Sequence, residues 1–64
     1  MRVRSVRENV LELTGTTVEL SALIAAARLA ADAMERDASA PPELLATVRR
    51  VLAEYDRAAA QLHE

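Results

Sequence analysis

Two adjacent prolines, Pro41 and Pro42, separate two stretches whose apolar residues recur at helical spacing, and this arrangement leaves few folds open. Each proline disfavours the helical conformation in the residue before it, so a helix does not run through Ala40 and Pro41. Pro42 suits the first turn of a new helix, where the amide it lacks would have had no intrahelical partner. Glu43 suits the positive end of that helix. Upstream, Leu20, Ile24, Ala27, Ala31 and Met34 step by four, three, four and three along one face, and Leu23 and Ala30 widen the stripe. Arg28, Asp32, Glu35 and Arg36 take the remaining surface, with Arg28 and Asp32 one turn apart. Downstream, Leu45, Val48, Leu52, Tyr55, Ala59 and Leu62 repeat the pattern. We therefore expect helices over residues 18–37 and 42–62, antiparallel across a short connection.

The start of the first helix is marked by Gly15-Thr16-Thr17-Val18-Glu19. The Thr16 hydroxyl can accept from the Glu19 amide while the Glu19 carboxylate reaches back, which is a capping box. Residues 2–14 admit two readings. Val3, Val6, Val10 and Leu13 have helical spacing and favour a third helix. Leu11 and Leu13 alternate with Glu12 and Thr14, and Val18 and Leu20 flank Glu19, so a hairpin turning around Gly15 and Thr16 is the alternative. The capping box assigns Glu19 to a helix and weighs against that hairpin. The expected fold is all-α: an antiparallel helical hairpin with a short N-terminal arm or third helix, assembled as an oligomer. Residues 1–15 form the basic arm or short helix, and residues 16–64 the helical-hairpin oligomerisation domain.

Self-association follows from what the chain has to bury. Its 64 residues include fourteen alanines and nine leucines, one tyrosine, and no phenylalanine or tryptophan. Alanine forms helix readily but contributes little apolar area, and chains this small usually need a staple or a partner. With no cysteine, disulfides are excluded. Beside the main stripe of the second helix runs another apolar line, Leu44, Val51 and Ala58, repeating every seven residues. A single facing helix covers only one of these lines, so the other is expected to meet the N-terminal arm or another subunit. The expected oligomer interface comprises Leu20, Ile24, Ala27, Ala31, Met34, Leu44, Leu45, Val48, Val51, Leu52, Tyr55, Ala59 and Leu62.

Catalytic chemistry finds no support in the residues. Asp32 and Glu35 lie three apart on a charged face beside Arg28 and Arg36, and Glu54 and Asp56 read as solvated partners of Arg50 and Arg57. His63 is the one histidine, whereas zinc usually takes three or four protein ligands. No enzyme activity, metal or cofactor is expected. The longest uncharged stretch is Leu20–Ala27, far short of a membrane span of about 20 residues. No continuous apolar region with a cleavage site follows the Arg-containing start, so a cytoplasmic location is expected.

All eight basic residues are arginine, against ten acids. Arg2, Arg4 and Arg7 precede the first acid, Glu8, and form a basic tip on an acidic body. Together with Arg49, Arg50 and Arg57 they are the candidates for phosphate contact, and a closed oligomer would multiply these weak contacts.

The segments Leu20-Ser21-Ala22-Leu23-Ile24-Ala25-Ala26-Ala27-Arg28-Leu29-Ala30-Ala31-Asp32-Ala33-Met34, Ala40-Pro41-Pro42-Glu43-Leu44-Leu45 and Val48-Arg49-Arg50-Val51-Leu52-Ala53-Glu54 resemble small terminase subunits of phages infecting high-GC actinobacteria. In that family an alanine-rich helix reaches a Ser/Ala/Pro turn and leads into a Leu-Arg-x-x-Leu-Ala-Glu helix; here Val48 takes the place of the first leucine. The resemblance spans residues 17–60. It implies a ring of subunits that recognises double-stranded viral DNA and regulates the large terminase subunit, with Leu45, Leu52, Tyr55 and Ala59 among the packing residues. Many members carry an N-terminal helix-turn-helix that has no counterpart here, which shifts the expected DNA contact to Arg2, Arg4 and Arg7. Two readings of other classes stay open: a small helical regulator of the antitoxin or inhibitor type that binds another protein, and a purely structural oligomerisation module.

Overall fold

A computed structural model describes residues 1–62. The expectations for position 63, and the last two residues of the 16–64 domain, lie outside the described residues. The element order is β1 (Arg2–Arg7), β2 (Val10–Thr14), α1 (Thr17–Glu35) and α2 (Pro42–Ala60). The molecule is therefore a helical hairpin preceded by a small antiparallel β-hairpin, and the all-α expectation is corrected at its N-terminus.

The reason for that correction lies at Val6. Strand register pairs Arg2 with Thr14, Val3 with Leu13, Arg4 with Glu12, Ser5 with Leu11, then Arg7 with Val10, so the pairing slips between Ser5 and Arg7. Val6 is the extra residue of a β-bulge, which interrupts strict alternation. The bulge places Val3 and Val6 three apart, a spacing that imitates a helix turn. The turn itself is Glu8-Asn9, with Asn9 in the left-handed region at φ 65°, a conformation asparagine tolerates better than most residues. Both readings of the sequence missed this turn. The alternation seen at Leu11–Thr14 is that of a strand, but its partner lies upstream, not across Gly15-Thr16. Valines at 3, 6 and 10 also lose rotamer freedom in a helix, which favours the extended form.

Helix α1 begins with the expected capping box. The Glu19 amide donates to Thr16 Oγ1 at 3.1 Å and the Thr16 amide donates to Glu19 Oε1 at 2.9 Å. It ends at Glu35, short of the expected 37, where the Arg36 amide donates to the Ala33 carbonyl at 3.2 Å and the Asp37 amide to the Met34 carbonyl at 3.1 Å. Asp37 then organises the connection: its Oδ1 accepts from the Ser39 amide at 2.9 Å and the Ser39 hydroxyl at 2.7 Å. Pro42 opens α2, which stops at Ala60 instead of 62.

The two helices run antiparallel, with their expected stripes facing each other. Ala31 (6% exposed) and Leu52 (8%) are buried at the centre. Leu20, Ile24, Ala27 and Met34 of α1, with Leu45, Val48, Tyr55 and Ala59 of α2, are half-buried around them. Two interhelical ion pairs flank this seam: Arg28 with Asp56 at 2.5 Å and Arg49 with Glu35 at 2.7 Å. The expected Arg28–Asp32 neighbour pair is thus replaced by a contact between helices. Asp56 correspondingly serves Arg28 and not Arg57, whereas Arg50 does reach Glu54, at 3.5 Å.

Candidate functional site

The β-hairpin has two unlike faces. Paired residues on adjacent strands project to the same side, so Val3, Leu11 and Leu13 share one face with Ser5, while Arg2, Arg4, Arg7, Val10, Glu12 and Thr14 share the other. On the polar face Arg4 Nε donates to Glu12 Oε1 at 3.0 Å. On the apolar face the side chains are exposed: Val3, Leu11 and Leu13 at 61%, 68% and 45%. Among the described residues, no Cα of either strand comes within 8 Å of a Cα in either helix. The hairpin backbone therefore stands away from the helices, tied to α1 by its short Gly15-Thr16 root and by the Met1 amine, 3.5 Å from Glu19 Oε2.

A second uncovered region lies at the open end of the helical hairpin, opposite the Pro41-Pro42 connection. Thr17, Leu20, Tyr55, Ala58, Ala59 and Leu62 line a mostly apolar groove of about 270 Å³. Leu62, expected within the packed stripe, lies beyond the end of α2 and is exposed. The flanking line of α2 is also open, since Leu44, Val51 and Ala58 are all exposed. The thirteen expected interface residues thus divide into ten that are buried or half-buried in the seam between α1 and α2, and three, Leu44, Val51 and Leu62, that face outward.

The chain exposes more surface than a compact one of its mass. The accessible surface is 5477 Å², whereas a compact monomer of 7.0 kDa exposes about 4,000 Å². The radius of gyration is 13.6 Å, against about 11 Å for a compact chain of this length. The molecule measures 36 × 33 × 18 Å, a plate instead of a ball.

The candidate phosphate-binding arginines are divided too. Arg4, Arg49 and Arg50 are engaged with Glu12, Glu35 and Glu54. Arg2, Arg7 and Arg57 make no ion pair among the described residues. Arg2, Arg4 and Arg7 share a face of the β-ribbon, while Arg49, Arg50 and Arg57 lie on α2.

Electrostatics elsewhere are local and structural. The Thr16 amide holds the Glu19 carboxylate below its ordinary value, with further help from the N-terminal amine and the Thr16 hydroxyl. Hydrogen bonds from the Ser39 hydroxyl and amide lower Asp37. The bond from Arg28 to Asp56 raises the arginine further. A polar recess of about 420 Å³ lies where Met1, Arg2, Thr14, Gly15, Thr16 and Glu19 meet, and the capping carboxylate is already used within it. No group of three His, Asp or Glu side chains converges as a metal site among the described residues, and no helix among them is long and apolar enough to cross a membrane.

No protein-family model matches this chain, and no curated protein or solved structure gives a match.

Proposed function

We propose that this chain is a non-enzymatic, self-associating adaptor that works in the cytoplasm as an assembly of copies. The observation that carries this reading is the surplus surface. About 1,400 Å² beyond the compact expectation exceeds the roughly 800 Å² that each partner contributes to a standard interface. Much of the exposed apolar surface is organised into a sheet face, a helix-end groove and a heptad line. Scattered exposed apolar residues need no explanation, but contiguous ones mark contact surfaces.

The resemblance to small terminase subunits extends the proposal to a ring that holds double-stranded DNA and regulates a large terminase subunit. One geometric observation favours the nucleic-acid part: Arg2, Arg4 and Arg7 share a face of a two-stranded ribbon, a shape that the DNA major groove admits.

Absolute mass from light scattering, taken over a concentration series at moderate salt, tests the reading. Eight or more copies would support the ring. A dimer would retain the self-associating adaptor and remove the packaging ring. A monomer throughout would overturn self-association and leave a small regulator that binds a different protein. Loss of DNA retention on replacing Arg2, Arg4 and Arg7 with glutamine would separate the nucleic-acid proposal from a purely structural module.

A further inference from the structure

The geometry points to a specific contact: the apolar face of the β-hairpin, carrying Val3, Leu11 and Leu13, seats in the groove at the open helix end of a second copy of the same chain. This rests on the self-association proposed above and specifies the surfaces that carry it. An isolated two-stranded hairpin is at best marginally stable in water, and a hairpin with one apolar face needs something against that face. Its own helices do not provide it, because the strands stand clear of both. The root is short and pinned, since Thr16 and Glu19 exchange the two hydrogen bonds of the capping box. That arrangement holds the ribbon away from its own groove.

The occupant is a second copy because each chain carries both halves of the contact. One chain presents one apolar ridge and one apolar groove, the groove being lined by Thr17, Leu20, Tyr55, Ala58, Ala59 and Leu62. Copies that pass hairpins to one another, reciprocally in a dimer or in turn around a ring, leave no ridge and no groove unpaired. A foreign partner would have to supply a groove for the ridge and a ridge for the groove. The whole-chain surplus of about 1,400 Å² leaves room for the roughly 800 Å² that each partner gives to a stable interface. Ridge and groove also lie at the same end of the chain, joined through Gly15 and Thr16, so one symmetry axis brings both into register. Docking the apolar face inward leaves Arg2, Arg4 and Arg7 on the outer side of the assembly.

The test uses the absence of native cysteine. Full-length single variants Leu13→Cys, Ala58→Cys and Val51→Cys are prepared, each at an exposed position. They are treated with a short thiol cross-linker alone and in pairs, with solution mass and helix content recorded for each. Cross-linked dimer is expected in the Leu13→Cys and Ala58→Cys mixture, at least tenfold above either variant alone. Because each chain then carries one thiol, no link within a chain can mimic it. An associated protein whose main product is Val51→Cys linked to itself would overturn the hairpin contact in favour of a helix seam, while self-association would stand. Absence of the mixed product in an associated, helical protein would also overturn it. A monomeric mass would remove both readings together. As a second probe, Leu11→Asp with Leu13→Asp is expected to weaken association at least 100-fold with the helices retained, and unchanged association would overturn the proposal.

Discussion

The helical hairpin and the β-hairpin solve the same problem to different degrees. In the helical part the two stripes face each other with Leu23, Ala30 and Leu62 left exposed, Ala31 and Leu52 are buried, and ion pairs flank the seam. In the β-part the strands satisfy their ladder hydrogen bonds and the Arg4–Glu12 pair, yet their apolar face meets no other element. Backbone pairing alone fixes a register. Burial is what stabilises it, and burial is missing from the ribbon of the single chain. One chain thus closes its helical seam and leaves the apolar face of its arm exposed.

Substitutions in the two regions should therefore act on different properties. The largest effect is expected at the centre of the helical seam: Leu52→Ala should cost about 2–5 kcal/mol through lost burial and a cavity, read as a lowered midpoint in thermal unfolding. In the ribbon, the paired change Leu11→Asp with Leu13→Asp should act on association instead. A 100-fold weakening corresponds to about 2.8 kcal/mol, seen by sedimentation, while helix content holds. Asn9→Val should cost about 1–2 kcal/mol, because a β-branched residue is forced into the left-handed region. Asn9→Gly should leave the hairpin intact, and strand amide shifts would tell the two apart. Thr16→Ala should cost about 1 kcal/mol of α1 stability by removing half of the capping box, measured by denaturant unfolding.

The smallest expected effect is pH-dependent. Glu19 has its carboxyl lowered in the folded chain, first by the Thr16 amide. Its contribution is therefore present above the ordinary value of 4.5 and is lost as pH falls through the lowered folded value. Helix content followed by circular dichroism into acid should show this loss in the native chain and less of it in Glu19→Gln.

How much of this was legible in the sequence differs between the same two regions. The helices could be read because Pro41-Pro42, the capping box and the three-and-four stripes are local signals that agree with one another. Their ends shifted by one or two residues, as fraying ends do. The ribbon was misread because the bulge at Val6 gives a strand the spacing of a helix, and because the turn is signalled only by Asn9 without a following glycine. A cue was present in the alternation of Arg2, Val3, Arg4 and Ser5 before the bulge. Arg28 shows a different limit: its sequence neighbour Asp32 was the obvious partner, but the antiparallel packing offers Asp56 across the seam. The second apolar line on α2 signals one exposed face, whereas the face on the ribbon is revealed by the strand register.

Amide hydrogen exchange measured at several protein concentrations tests the central contrast most directly. Protection of the Arg2–Thr14 amides should rise with concentration, in step with the measured mass. The central amides of α1 and α2 should already be more protected than the ribbon at the lowest concentration. Ribbon protection that equals that of the helices and does not change on dilution would show that the arm is complete within one chain, and would contradict the account.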